Sequence, residues 1–88
     1  MQFMVSFTVK PEHRTASIAR FLETGGPPPT GVKMVGRWHG ASGGRGYTVA
    51  EADSIEAVAS WCHQWADLLA FHIEPVLNDE EAARVFSA

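Results

Sequence analysis

Between Phe3 and Leu77 the spacing of apolar residues switches from every second position to every third or fourth and back, twice over. That alternation limits the chain to the order strand-helix-strand, strand-helix-strand. FMVSFTV at 3–9 sets Phe3, Val5, Phe7 and Val9 on one side and Met4, Ser6 and Thr8 on the other, the period of a strand. Pro11 then stands at a first helical position with Glu12 behind it, and the helix is expected to run to about Thr24 on a stripe of Ile18, Phe21 and Leu22. Gly25-Gly26 ends it, and the prolines at 27–29 form a stiff connector. A second strand is expected over Val32 to about His39, and a third over about Arg45 to Ala52. The second helix opens at Asp53, which can cap it while Glu56 closes the box. Ile55, Val58, Cys62, Trp65 and Leu69 recur at helical spacing, widened by Trp61 and Leu68, so this helix is expected to bury Trp65 against the sheet. Phe71 to Leu77 reads as the last strand, and Asn78 with Glu81 opens a short tail helix.

Right-handed crossovers put both helices on one face of a four-stranded antiparallel sheet. The expected fold is therefore α+β, a ferredoxin-like split βαβ in one domain over residues 1–88, with a short C-terminal helix. Pro75 suits this order, because the fourth strand is an edge. Alternation assigns Phe3, Val5, Phe7, Val9, Met34, Trp38, Tyr47, Val49, Phe71 and Ile73 to the helix side. It assigns Met4, Ser6, Thr8, Val35, Arg37, His39, Thr48, Ala50, His72, Glu74 and Val76 to the other, although one bulge would invert part of this. The second face is too apolar at its centre for water and too polar for a dry core. A homodimer packed sheet to sheet is expected, with Arg37 of one subunit meeting Glu74 of the other at the rim.

Eighty-eight residues also bury only about 60–65% of their unfolded surface, so association would help such a chain. A net charge of −3 without a basic cluster argues against nucleic acid as partner, and no apolar run is long enough for a membrane span. The amino terminus reads as a strand rather than a signal peptide, and the lone Cys62 has no internal disulfide partner, so a cytoplasmic location is expected.

Chemistry is concentrated in GRWHGASGGRG, Gly36 to Gly46, the turn between the second and third strands. Arg37 and Arg45 beside a glycine-rich turn could hold a phosphate or carboxylate, although the Walker lysine and following helix are missing and a plain hairpin turn explains the glycines equally. Trp38, Tyr47, Trp61 and Trp65 could wall an aromatic pocket or simply fill a core. Glu51 would be a general base if held on the helix side, and an ordinary solvated carboxylate if it reaches water at the strand end. His39 and His72 could carry protons or pack at an interface. His72 and Glu74 supply two metal ligands where zinc wants three or four, and the neighbours Cys62 and His63 diverge by about 100° on a helix. No metal and no other cofactor is expected.

FLETGGPPPTGVK followed by GRWHGASGGRG, and VKPEH around Pro11, resemble a family of small bacterial proteins whose domain has no assigned function. That family resembles in turn the dimeric α/β-barrel superfamily of antibiotic-biosynthesis-type monooxygenases, muconolactone-isomerase-like proteins and stress-responsive barrel proteins. The resemblance spans nearly the whole chain. It implies a dimer with a cavity between sheet and helices in each protomer, and supplies no catalytic residue. Two functions are compatible with it. One is a cofactor-independent monooxygenase- or isomerase-like enzyme, with Trp38, Tyr47, Trp65 and Arg45 holding an aromatic substrate and Glu51 or His39 moving protons. The alternative is a non-catalytic metabolite-binding or interaction module. An open cavity containing Glu51 would favour the enzyme, and a closed one the module.

Overall fold

A computed structural model describes residues 1–88. Strand β1 (Gln2–Val9) leads through a 3-10 turn at Pro11–His13 into α1 (Arg14–Thr24). Then follow β2 (Val32–His39), β3 (Arg45–Ala52), α2 (Ile55–His63), β4 (Leu69–Val76) and α3 (Asp79–Phe86). The sheet runs β2-β3-β1-β4 with every neighbouring pair antiparallel, the ferredoxin-like α+β arrangement. Edge strand β4 carries Pro75. No helix is long and apolar enough to cross a membrane.

Local chemistry sets the ends of the helices. Gly25, at φ 75°, closes α1 by donating its N–H to the Phe21 carbonyl at 2.7 Å. Asn78 Oδ1 accepts from the Glu81 N–H at 2.8 Å while Glu81 Oε1 accepts from the Asn78 N–H at 3.0 Å, the expected box. The cap of α2 departs from expectation. Ser54, not Asp53, accepts the Ala57 N–H, at 3.3 Å. That helix also stops at His63 rather than reaching Leu69, because the chain tightens into turns in which Trp65 N–H bonds to the Cys62 carbonyl and Ala66 N–H to that of His63. Trp65 thus leaves the helix and sits in the turn that leads into β4.

The core lies between the sheet and α2. Phe3, Val5, Val32, Ala50, Ala52, Val58, Trp61 and Cys62 form it, with Met34, Phe71 and Ile73 packed around them. Two face assignments are corrected here. A bulge between Met34 and Gly36 slips the register of β2, so Arg37 and His39 face the helices and Trp38 faces away. In β3 the small residues Gly46, Thr48 and Ala50 point inward opposite Phe7, Val5 and Phe3, and Tyr47, Val49 and Glu51 point outward opposite Ser6, Met4 and Gln2. The reason is volume. Phe3 and Val5 already fill the core under α2, and the Phe7 ring lies so close over Gly46 that no side chain fits there.

Candidate functional site

Helix α2 packs on the sheet, but α1 stands off it. The space left between α1 and the sheet is a cavity of about 240 Å³. Its walls are mostly aromatic and aliphatic: Val5, Phe7 and Val9 from β1, Ile18 and Phe21 from α1, Trp61 from α2, Trp65 from the following turn, and Leu69 and Phe71 from β4. The Phe7 and Phe71 rings pack with centroids 6.1 Å apart and tilted by 53°. The opening toward the glycine hairpin carries the polar groups.

The β2 bulge supplies two of them. Arg37 Nη1 donates to the Gly26 carbonyl at 2.8 Å and Nη2 to the Gly25 carbonyl at 2.6 Å, which ties the glycine cap that follows α1 to the sheet. Its guanidinium also lies 5.0 Å from the Phe21 ring centroid. Burial lowers the Arg37 pKa from its ordinary value, yet a guanidinium stays charged in proteins. Gly26 makes this approach feasible: it sits at φ 52°, and a Cβ there would stand 3.1 Å from Arg37 Nη1 and 3.5 Å from the Trp65 ring. His39 presents its ring 5.0 Å from Phe21 and 6.1 Å from Phe7.

Arg14 completes the mouth from the first turn of α1. Its guanidinium lies against Gly43, where a Cβ would come 2.6 Å from Nη2. Gly43 and Gly44 both hold positive φ, at 79° and 80°, so the hairpin needs glycine there twice over. Behind the aromatic wall, Arg20 forks onto Asp67 at 2.7 and 3.0 Å, with its guanidinium 5.1 Å from the Trp65 ring centroid. Hydrogen bonding to Arg20 holds the Asp67 carboxyl below the usual carboxylate range. Cys62 faces the cavity from α2, but burial pushes its thiol up to about 11, so it is protonated and inert at neutral pH.

The structure brings His39, Arg45, Trp65 and Arg37 to the cavity, and it separates Trp38, Tyr47 and Glu51 from it. Trp38 and Tyr47 are cross-strand neighbours on the outer face, exposed by 59% and 41%. Glu51 lies on the same face, where its carboxylate accepts from Gln2 Nε2 at 3.2 Å and sits 4.0 Å from Lys33 Nζ. It is not in the pocket and cannot serve as its base. Arg45 borders the mouth but pairs with Thr8 at the hairpin end. An Arg37–Glu74 contact between facing sheets is excluded as well, because Arg37 points inward. Sequence reasoning missed Arg14. It precedes Ser17, Ile18 and Phe21 at helical spacing, so extending the α1 stripe back by one turn would have included it. Leu22, read as part of that stripe, is 77% exposed.

No curated protein matches this sequence. Two solved structures are similar in fold. Rv0793 from Mycobacterium tuberculosis is 17% identical with a TM-score of 0.51, covering 89% of this chain and 95% of that one. A Deinococcus radiodurans protein assigned by inference to the antibiotic biosynthesis monooxygenases is 12% identical with a TM-score of 0.50, covering 89% and 94%. The likeness is to the ferredoxin-like α+β fold, and at these identities it carries fold alone. The family described as "Domain of unknown function (DUF3303)" matches residues 1–88, and the chain belongs to that family.

Proposed function

We propose that this chain is a small-molecule-binding protein that takes a flat aromatic ligand between α1 and the sheet, and that it works as a homodimer closed through the outer sheet face. The unfilled cavity carries the reading. A concave, mostly apolar cleft of about 240 Å³ is the kind of surface on which small-molecule sites are built. A dry cavity of about 150 Å³ accepts benzene, so this one has room for a substituted ring. Rings of Phe7, Phe21, Trp61, Trp65 and Phe71 line it and suit an aromatic guest. The test is tryptophan emission and thermal shift against a panel of small aromatic compounds. Binding should quench emission, and Trp65→Ala should remove much of that response while Trp38→Ala keeps it. A panel that neither quenches emission nor raises the melting temperature would defeat the reading.

Catalysis, if the site performs it, rests on His39. With Glu51 on the other face, His39 supplies the one imidazole that lines the cavity, while the arginines are already cationic and the Cys62 thiol is held protonated. An isomerase-like step would have His39 remove a proton from an acidic ligand and return it at another atom. The monooxygenase version draws on the family resemblance of the sequence and on the name given to the Deinococcus radiodurans neighbour. Oxygen uptake or substrate isomerisation that disappears in His39→Ala, while ligand binding persists, would establish an enzyme. Binding without turnover would establish the non-catalytic module.

A further inference from the structure

Six of the seven lysines and arginines of this protein are either ion-paired away from the cavity or unpaired in its lining, and the seventh, Lys10, is neither. Its three ion pairs employ Arg20 with Asp67, Lys33 with Glu51, and Arg84 with Glu80. None of these cations lines the cavity. The three arginines that do, Arg14, Arg37 and Arg45, have no carboxylate partner, and no Asp or Glu lines the cavity at all. Of the three, Arg37 is partly buried while Arg14 and Arg45 are exposed, and a partly buried cation without a counter-charge costs free energy unless something else compensates it. For Arg37 two backbone carbonyls do so only in part and leave its other N–H donors free. Arg14 makes no ion pair and stands against the glycine hairpin at Gly43. A cleft with walls of low polarity and cations at its entrance concentrates a field that attracts anions.

We infer that the ligand is an organic anion, an aromatic carboxylate whose ring fills the apolar slot and whose carboxylate rests at the mouth on Arg14 and Arg37. The inference rests on the ligand-binding reading above and adds the charge of the ligand. The ring belongs among Phe7, Phe21 and Trp65, and the planar carboxylate matches the fork of a guanidinium.

The experiment compares 2-naphthoate with its neutral amide and with octanoate, by tryptophan quenching at low and high ionic strength. The expected result is naphthoate binding about tenfold or more tighter than the amide at low salt, a preference that shrinks as salt screens the mouth. Arg14→Gln should erase most of that preference without weakening the amide. Lys33→Gln removes the same charge from the outer face and should leave the preference intact. If naphthoate and amide both quench with equal affinity, the anion inference is overturned while the ligand-binding reading stands. Octanoate binding as well as naphthoate would overturn the aromatic requirement. If none of the three quenches, both the inference and the reading beneath it fail.

Discussion

Trp61 and Trp65 lie four residues apart and perform different tasks, because α2 ends between them. Trp61 is 6% exposed and belongs to the core, whereas Trp65 is half-buried between Arg20 and the cavity. Trp61→Ala should therefore cost about 3–5 kcal/mol in urea denaturation, and Trp65→Ala less, with its larger effect on ligand response. An equal loss from both would show that Trp65 is core after all. Cys62 offers a second check at this scale. Its folded thiol is raised from 9.0 to about 11, so the folded state favours the protonated form. The sign follows: this contribution is fully present below pH 9 and is lost as pH rises toward about 11. At pH 8 a disulfide reagent should label the native protein far more slowly than the urea-unfolded chain, and a cavity ligand should slow it further. Native labelling at the unfolded rate would contradict the burial.

At the level of elements, the strands and helices were legible and the sheet faces were not. Strand β2 was found within its expected limits, yet one extra residue near Val35 sent Arg37 and His39 to the helix side. In β3 the larger residues Tyr47 and Val49 looked like the buried set, but Phe3 and Val5 of β1 fill the core beneath α2 and Phe7 covers Gly46, so only small residues fit beside them. Gly46→Ala tests this directly. The new methyl would meet the Phe7 ring, so the substitution should destabilise by about 1–3 kcal/mol. Combined with Phe7→Ala it should cost clearly less than the two changes added, and strict additivity would show that the residues do not touch. The Arg20–Asp67 fork joins α1 to the turn after α2. Asp67 has a depressed pKa in the folded state, so the stability it lends is present above the usual carboxylate range and is lost as acid titrates it. Asp67→Asn should flatten the acid limb of the stability–pH curve, and an unchanged limb would remove the pair from the account.

For the whole molecule, the outer sheet face is the feature a monomer leaves unexplained. Met4, Val35, Trp38 and Tyr47 are 41%, 52%, 59% and 41% exposed there. The bulge adds Trp38 to this face, and that strengthens the case for sheet-to-sheet association that composition had already made. Light scattering should give a dimer at micromolar concentration, and Trp38→Asp should shift it to monomer without unfolding it. A parent protein that already scatters as a monomer would end the dimer proposal. Periodicity, caps and breakers determined the order of elements and hence the ferredoxin-like sheet, because each of those signals acts within a few residues. Their reach stops at the single strand. Which face a residue occupies, whether Glu51 or His39 lines the cavity, and whether α1 closes on the sheet were decided only by packing between elements distant in sequence. A one-residue bulge changes no local propensity yet reverses every side chain after it, and a cavity exists only where several elements fail to meet.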